Sequence, residues 1–174
     1  YPVPKHDKAY RQAMERLTNT APDYVVVNTR FYLLSLEGLK FARKQGIAPV
    51  LVEHGSAHLS MGSPTVSIAV EAVEHALTLL DKRQRPAYYA VSKKASAWLE
   101  HFGIASAGEL PNAIDADTYA AGASKRNFRE ELGISDDALL VASAGRLIPE
   151  KGVLQLAQAV QTLHQEGCNV HIAM

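Results

Sequence analysis

A single cysteine, Cys168, is all the thiol chemistry this chain of 174 residues carries, so it supports neither a disulfide nor a cysteine-based zinc cluster. No apolar run approaches the roughly 20 residues that span a bilayer, and no basic start followed by an apolar stretch marks a signal peptide. Net charge is missing too. The 18 Lys+Arg balance 18 Asp+Glu, which gives no basic patch for nucleic acid, and nucleic acid is not expected among the partners. The expected surroundings are reducing and cytoplasmic. What is present is an ordinary globular composition, 47% hydrophobic and 21% charged, enough at this length to bury a core without staples. That excludes disorder and disulfide scaffolds. The chain opens on Tyr1-Pro2-Val3-Pro4 and stops within the strand-like run Asn169 to Met174, so the expectation is an excised piece.

Apolar runs of strand length alternate with helical periods, the pattern of parallel α/β architecture. An opening amphipathic helix carries Tyr10, Met14 and Leu17. A strand at Tyr24 to Val27 precedes a helix from Leu33 to Gln45, and a strand at Pro49 to Val52 ends in the polar turn Glu53-His54-Gly55-Ser56. A loop of Ser, Gly and Pro follows to Thr65. From there Val66, Val70, Val73, Leu77 and Leu80 recur at steps of four and three, which predicts the core face of a helix. Ala87 to Val91 reads as a strand and Ser92 as the cap of a helix with Ala95, Trp98, Leu99 and Phe102 on one face. After an extended Glu109-Leu110-Pro111, the run from Asn112 reads as a linker. Beyond it the pattern predicts a polar helix from Ser124 to Leu132 closed by Gly133 and a buried strand from Ala138 to Ser143. A helix from Gly152 to Gln165 with Val153, Leu156, Val160 and Leu163 inward follows, then a strand at Asn169 to Met174.

In open parallel sheets ligands bind beyond the carboxyl ends of the strands, so the residues there are the first candidates. These are Asn28, then Glu53-His54-Gly55, Ser92-Lys93, Asn112 to Asp115, Gly145-Arg146 and Lys151-Gly152. The last loop has the clearest chemistry. A guanidinium, an ammonium and the free amides of a helix start suit an anionic diphosphate. The competing reading is a solvated turn whose charges pair with Glu150. His54, between a strand and a glycine, could reach a cleft, or it is merely exposed or structural. His54 and His58 have a zinc-ligand spacing, but Gly55 argues against a helix and the metalloprotease carboxylate is missing, so no metal is expected. There is no Gly-x-Gly-x-x-Gly, no phosphate loop ending Gly-Lys-Ser/Thr and no Gly-x-Ser-x-Gly elbow.

Taken in order, these pieces resemble the family-4 retaining glycosyltransferases of the GT-B fold. Tyr89-Ala90-Val91-Ser92 followed by Pro111-Asn112-Ala113-Ile114-Asp115 matches the family's signature before its second domain. Arg129-Glu130-Glu131-Leu132-Gly133-Ile134 matches its Arg-x-x-Leu-Gly helix end, Gly145 to Gly152 its Gly-Arg-Leu…Lys-Gly loop, and Val50 to Gly55 its Val-x-x-His-Gly turn. Two departures are visible: Ala113 stands where the family has Gly, and neither the family's first Gly-rich loop nor its paired-glutamate motif lies within these residues.

The resemblance implies parts of two Rossmann-like parallel-sheet domains. Residues 1–111 would belong to the acceptor-side domain, 112–123 to an interdomain linker hinged at Asn112 and Asp115, and 124–174 to the start of the nucleotide-sugar domain. It implies a metal-independent hexosyltransferase of polysaccharide biosynthesis that needs no cofactor beyond its UDP- or GDP-linked sugar. Arg146, Lys151, Gly145 and Gly152 would hold the donor diphosphate, and His54 would be the catalytic-site residue approaching the donor sugar. The acceptor would be a glycan or a lipid-linked sugar, with peripheral membrane contact and self-association through the truncated domain among the expectations. This piece alone is expected to be inactive. A non-catalytic nucleotide-binding α/β module, or a GT-B epimerase or phosphorylase, are the alternatives.

Overall fold

A computed structural model of the chain describes residues 4–58 and 63–174. Two compact units divide it, Tyr1–Ala113 and Ile114–Met174. Both are parallel α/β assemblies of Rossmann-like kind.

In the first unit α1 (Lys8–Asn19) starts where the Asp7 carboxylate accepts the Tyr10 amide at 2.9 Å. It presents Tyr10 and Met14 as its less exposed positions, while Leu17, the third residue of the predicted face, stands exposed. Four strands follow in chain order, β1 (Val26–Asn28), β2 (Val50–Glu53), β3 (Ala87–Ala90) and β4 (Gly108–Glu109), each parallel to the next. The crossovers between them are α2 (Leu33–Lys44), α3 (Pro64–Arg83) and α4 (Lys93–His101). Parallel strands require such connections, because a short turn cannot carry the chain back to the same end of the sheet. Val27, Leu39, Leu51, Tyr88, Ala90, Ala95, Leu99, Phe102 and Ile104 form the core. Ala95, Leu99 and Phe102 therefore lie on the predicted inner face of α4, and the Ser92 hydroxyl caps that helix by accepting the Ala95 amide at 3.2 Å.

The predicted core face of α3 is not the buried one. Of its five apolar positions only Leu77 is buried, while Val66, Val73 and Leu80 stand 45%, 52% and 37% exposed. The buried stripe is Glu74, Leu77, Thr78 and Asp81. It is turned to that side by Arg30, a fully buried cation that needs polar partners more than the valines need cover. The expected loop before α3 falls partly at residues 59–62, outside the described residues.

The second unit contains α5 (Ala116–Ala121), α6 (Phe128–Leu132), β5 (Leu139–Ala142), α7 (Val153–Gln165) and β6 (Val170–Ala173), with β5 parallel to β6. A helix thus occupies part of the segment read as linker. The helix expected from Ser124 is shorter because Asn127 caps it, accepting the Arg129 amide at 3.1 Å. Gly133 closes it in the left-handed region at φ 64°, which a glycine adopts without a Cβ clash. β5 is not the buried strand the pattern suggests, since Leu139 is 60% exposed. Within the unit α7 packs against β6. Val153, Leu156, Val160 and Leu163 are the half-buried positions along α7, as predicted. Among the described residues no helix is long and apolar enough to cross a membrane.

Candidate functional site

In the second unit the chain leaves β5 at Ala142 and makes the loop that the sequence singles out. A single 3₁₀ turn, Pro149–Lys151, closes with the Lys151 amide donating to the Ile148 carbonyl at 3.0 Å. Gly152 then takes φ 70° as the residue before α7, which begins at Val153, and its carbonyl accepts the Leu156 amide at 2.9 Å. Among the described residues no side chain caps this helix, and uncapped first-turn amides are the groups a helix start offers to an anion. Gly145, Arg146 and Lys151 line one cavity of about 400 Å³ with Ser143, Phe128 and Val153. Gly152 is not among the lining residues; it shapes the turn that delivers Lys151. Arg146 and Lys151 are both exposed, and neither forms an ion pair among the described residues. The side chain of Glu150 lies outside them.

In the first unit β2 ends at Glu53, whose Oε1 accepts the Gly55 amide at 2.6 Å and so folds the turn back on the strand. A methyl group on Gly55 would sit 2.9 Å from that same oxygen, which explains the glycine. His54 projects from this turn, exposed, with Nε2 3.0 Å from the Asn28 Oδ1 at the end of β1. Two of the predicted strand-end candidates are therefore in contact. Thr29, next in the chain, takes φ 64° while its amide donates to the Val52 carbonyl at 2.8 Å. A β-branched residue there is strained, and such strain concentrates where a chain must be aimed rather than relaxed.

Of the two residues read as a hinge, Asp115 caps α5. Its carboxylate accepts the Thr118 hydroxyl at 2.7 Å and the Thr118 amide at 3.0 Å, and these bonds hold it below the usual carboxylate range. Asn112 is exposed. Ala113 avoids a positive φ, so the turn for which the resemblance provides a glycine is reshaped.

Beneath the His54 turn lies a polar core that the pattern reading missed. Arg30, Glu53, Glu74, Thr78 and Asp81 are all at most 2% exposed. The Arg30 guanidinium lies against Glu53, donates to the Thr78 hydroxyl at 2.6 Å, and sits 3.5 Å from the centre of the Phe102 ring. Burial pushes the Asp81 carboxyl up to about 8, against the pull of Arg30. Among the described residues neither Asp81 oxygen has a hydrogen-bond partner, which suits a carboxyl kept neutral in a core already holding Glu53. A second missed group is His58, Glu71, His75 and His101. The two histidines with the four-residue spacing separate, since His54 meets Asn28 while His58 meets Glu71 and Glu74. The available signal was the four-residue spacing of Glu71 and His75 on one helix face.

No family model matches this chain. Over 75 residues, 43% of its length, it is 33% identical to the lipopolysaccharide 1,2-N-acetylglucosaminetransferase of Salmonella typhimurium (strain LT2). The match covers 19% of that enzyme. The chain is thus related, over part of its length, to a glycosyltransferase.

Proposed function

We propose that the chain is part of a retaining glycosyltransferase of the GT-B kind that takes its sugar from a nucleotide-diphosphate donor and passes it to a glycan or lipid-linked acceptor. One observation carries this reading. Arg146 and Lys151, five positions apart and both exposed, line a single cavity beyond the carboxyl end of β5, beside a helix start with no side-chain cap. The partial similarity to a named N-acetylglucosaminetransferase supports the same class and makes N-acetylglucosamine the first donor sugar to try.

In this reading the guanidinium and the ammonium hold the two phosphates. As the bond from the anomeric carbon to the leaving diphosphate oxygen lengthens, the sugar gains oxocarbenium character and the diphosphate gains charge. Cations already in place stabilise that charge without reorganising, which lets them act where other transferases use a metal. The exposed amides of α7 add positive potential on the same side. His54, bonded to Asn28 and set by the Glu53–Gly55 turn, positions the donor sugar.

Calorimetry with UDP, GDP and NAD tests the binding half. UDP or GDP should bind and NAD should not, and Arg146→Ala and Lys151→Ala should each remove the heat while circular dichroism stays unchanged. In the full-length parent the same substitutions should abolish transfer. Undiminished turnover in both would refute the assignment, and nucleotide binding without transfer by the parent would favour a non-catalytic module.

A further inference from the structure

We propose that His58, Glu71, His75 and His101, all in the first unit, form a binding site for one divalent transition-metal ion of the zinc class. His58 comes from the segment after β2, Glu71 and His75 lie one turn apart on α3, and His101 ends α4. One ligand atom from each lies within 4.8 Å of all the others.

Ring geometry agrees with a common centre. The imidazole centroids are 5.7 Å apart for His58 and His75, 5.5 Å for His75 and His101, and 5.2 Å for His58 and His101. Tetrahedral zinc with bonds of about 2.0–2.1 Å to ring nitrogen puts the ring centres roughly 5 Å apart. The plane of His101 is held by Trp98, stacked on it at 4.9 Å with an interplanar angle of 6°.

His58 supplies the strongest reason to expect a cation. Its Nδ1 lies 2.6 Å from Oε2 of Glu74, a carboxylate 1% exposed. Its Nε2 is buried, has no hydrogen-bond partner among the described residues, and lies 3.0 Å from the Glu71 Oε1. Carboxylate oxygens beside both ring nitrogens call for positive charge at this point, and a metal ion bonded to Nε2 and to Glu71 supplies it as a ring proton would. The Glu74–His58 contact then becomes the carboxylate–histidine arrangement that orients metal-binding imidazoles.

Three imidazoles and one carboxylate select zinc, nickel, copper or cobalt over calcium and magnesium, which prefer all-oxygen shells. Four protein ligands make a closed, structural site. The ion would tie the segment after β2 to α3 and α4 and so steady the turn that carries His54.

The test is titration of the 174-residue chain with Co²⁺, read by visible absorption and by fluorescence of Trp98, the single tryptophan. Expected are four-coordinate d–d bands and quenching that saturate together at one equivalent and are reversed by Zn²⁺. His75→Ala and His101→Ala, at exposed positions, should each weaken binding by about 100-fold or more, and Glu74→Gln by about 10-fold. Zn²⁺ should raise the melting temperature of the wild type but not of His75→Ala. His164→Ala, which breaks the separate His164–His171 ring contact, should leave all of this unchanged. Absence of saturable quenching overturns the site, as does wild-type affinity in the His75 and His101 variants or loss of binding in His164→Ala. None of these readouts depends on sugar transfer, so failure here and failure of the glycosyltransferase reading are separable.

Discussion

The Arg30 Nε lies 2.8 Å from the Glu53 Oε2, with both side chains fully buried. Arg30 follows the end of β1 and Glu53 ends β2, so the pair joins two strand ends under the exposed His54 turn. Removing one member strands the other charge in the core, at a cost of about 3–5 kcal/mol. Glu53→Gln should therefore destabilise the first unit by that order in urea denaturation. The double change Arg30→Met, Glu53→Leu should cost clearly less than the sum of the two single changes. Additive costs would show that the ions act separately.

Asp81 makes stability depend on pH. Folding raises its carboxyl from the ordinary Asp range near 3.9 to about 8, so between those values the folded state holds a proton that the unfolded state has released. Its contribution is full below pH ~4, falls as pH rises, and is gone above about 8. The slope has a ceiling of about 1.4 kcal/mol per pH unit. Denaturation at pH 5, 7 and 9 should show the wild type weakening with pH. Asp81→Asn, which cannot ionise, should flatten this decline, and an equally steep loss in the variant would contradict the assignment.

Thr29 at φ 64° is strained by its Cβ, and its side chain takes no part in the contact between Asn28 and His54. Thr29→Gly should remove strain worth about 1–3 kcal/mol while adding backbone entropy to the unfolded chain, for a net gain of about 1 kcal/mol. A higher melting temperature is the expected result, and a lower one would show that the threonine is not strained.

Gly152, at φ 70°, has no described atom closer than 4.0 Å to where a Cβ would sit. The cost of Gly152→Ala is therefore conformational, about 1–2 kcal/mol. Because this turn delivers Lys151, UDP affinity should fall with it in calorimetry. Full affinity in a folded variant would separate the turn from the binding of phosphate.

How far each feature could be read from residues alone follows from the range of the forces involved. The inner face of α4, the Ser92 cap, the Gly133 stop and the half-buried stripe of α7 depend on neighbours within a turn or two, and all are as the pattern predicts. The face of α3 fails because a cation 48 positions before Thr78 in the chain decides it. No periodicity within the helix carries that information.

Apart from α5, which occupies part of the segment read as linker, the order of strands and helices, the strand-end loops and the Arg146–Lys151 loop beside a helix start were determined by local sequence, since propensity, capping and glycine placement act within a few residues. Three things waited for the tertiary structure: which carboxylates share the interior with Arg30, that His54 meets Asn28, and that His58, Glu71, His75 and His101 gather at one point. Each joins segments far apart in the chain. Only the closing of the parallel crossovers brings their charges near enough for burial to strengthen the interaction between them.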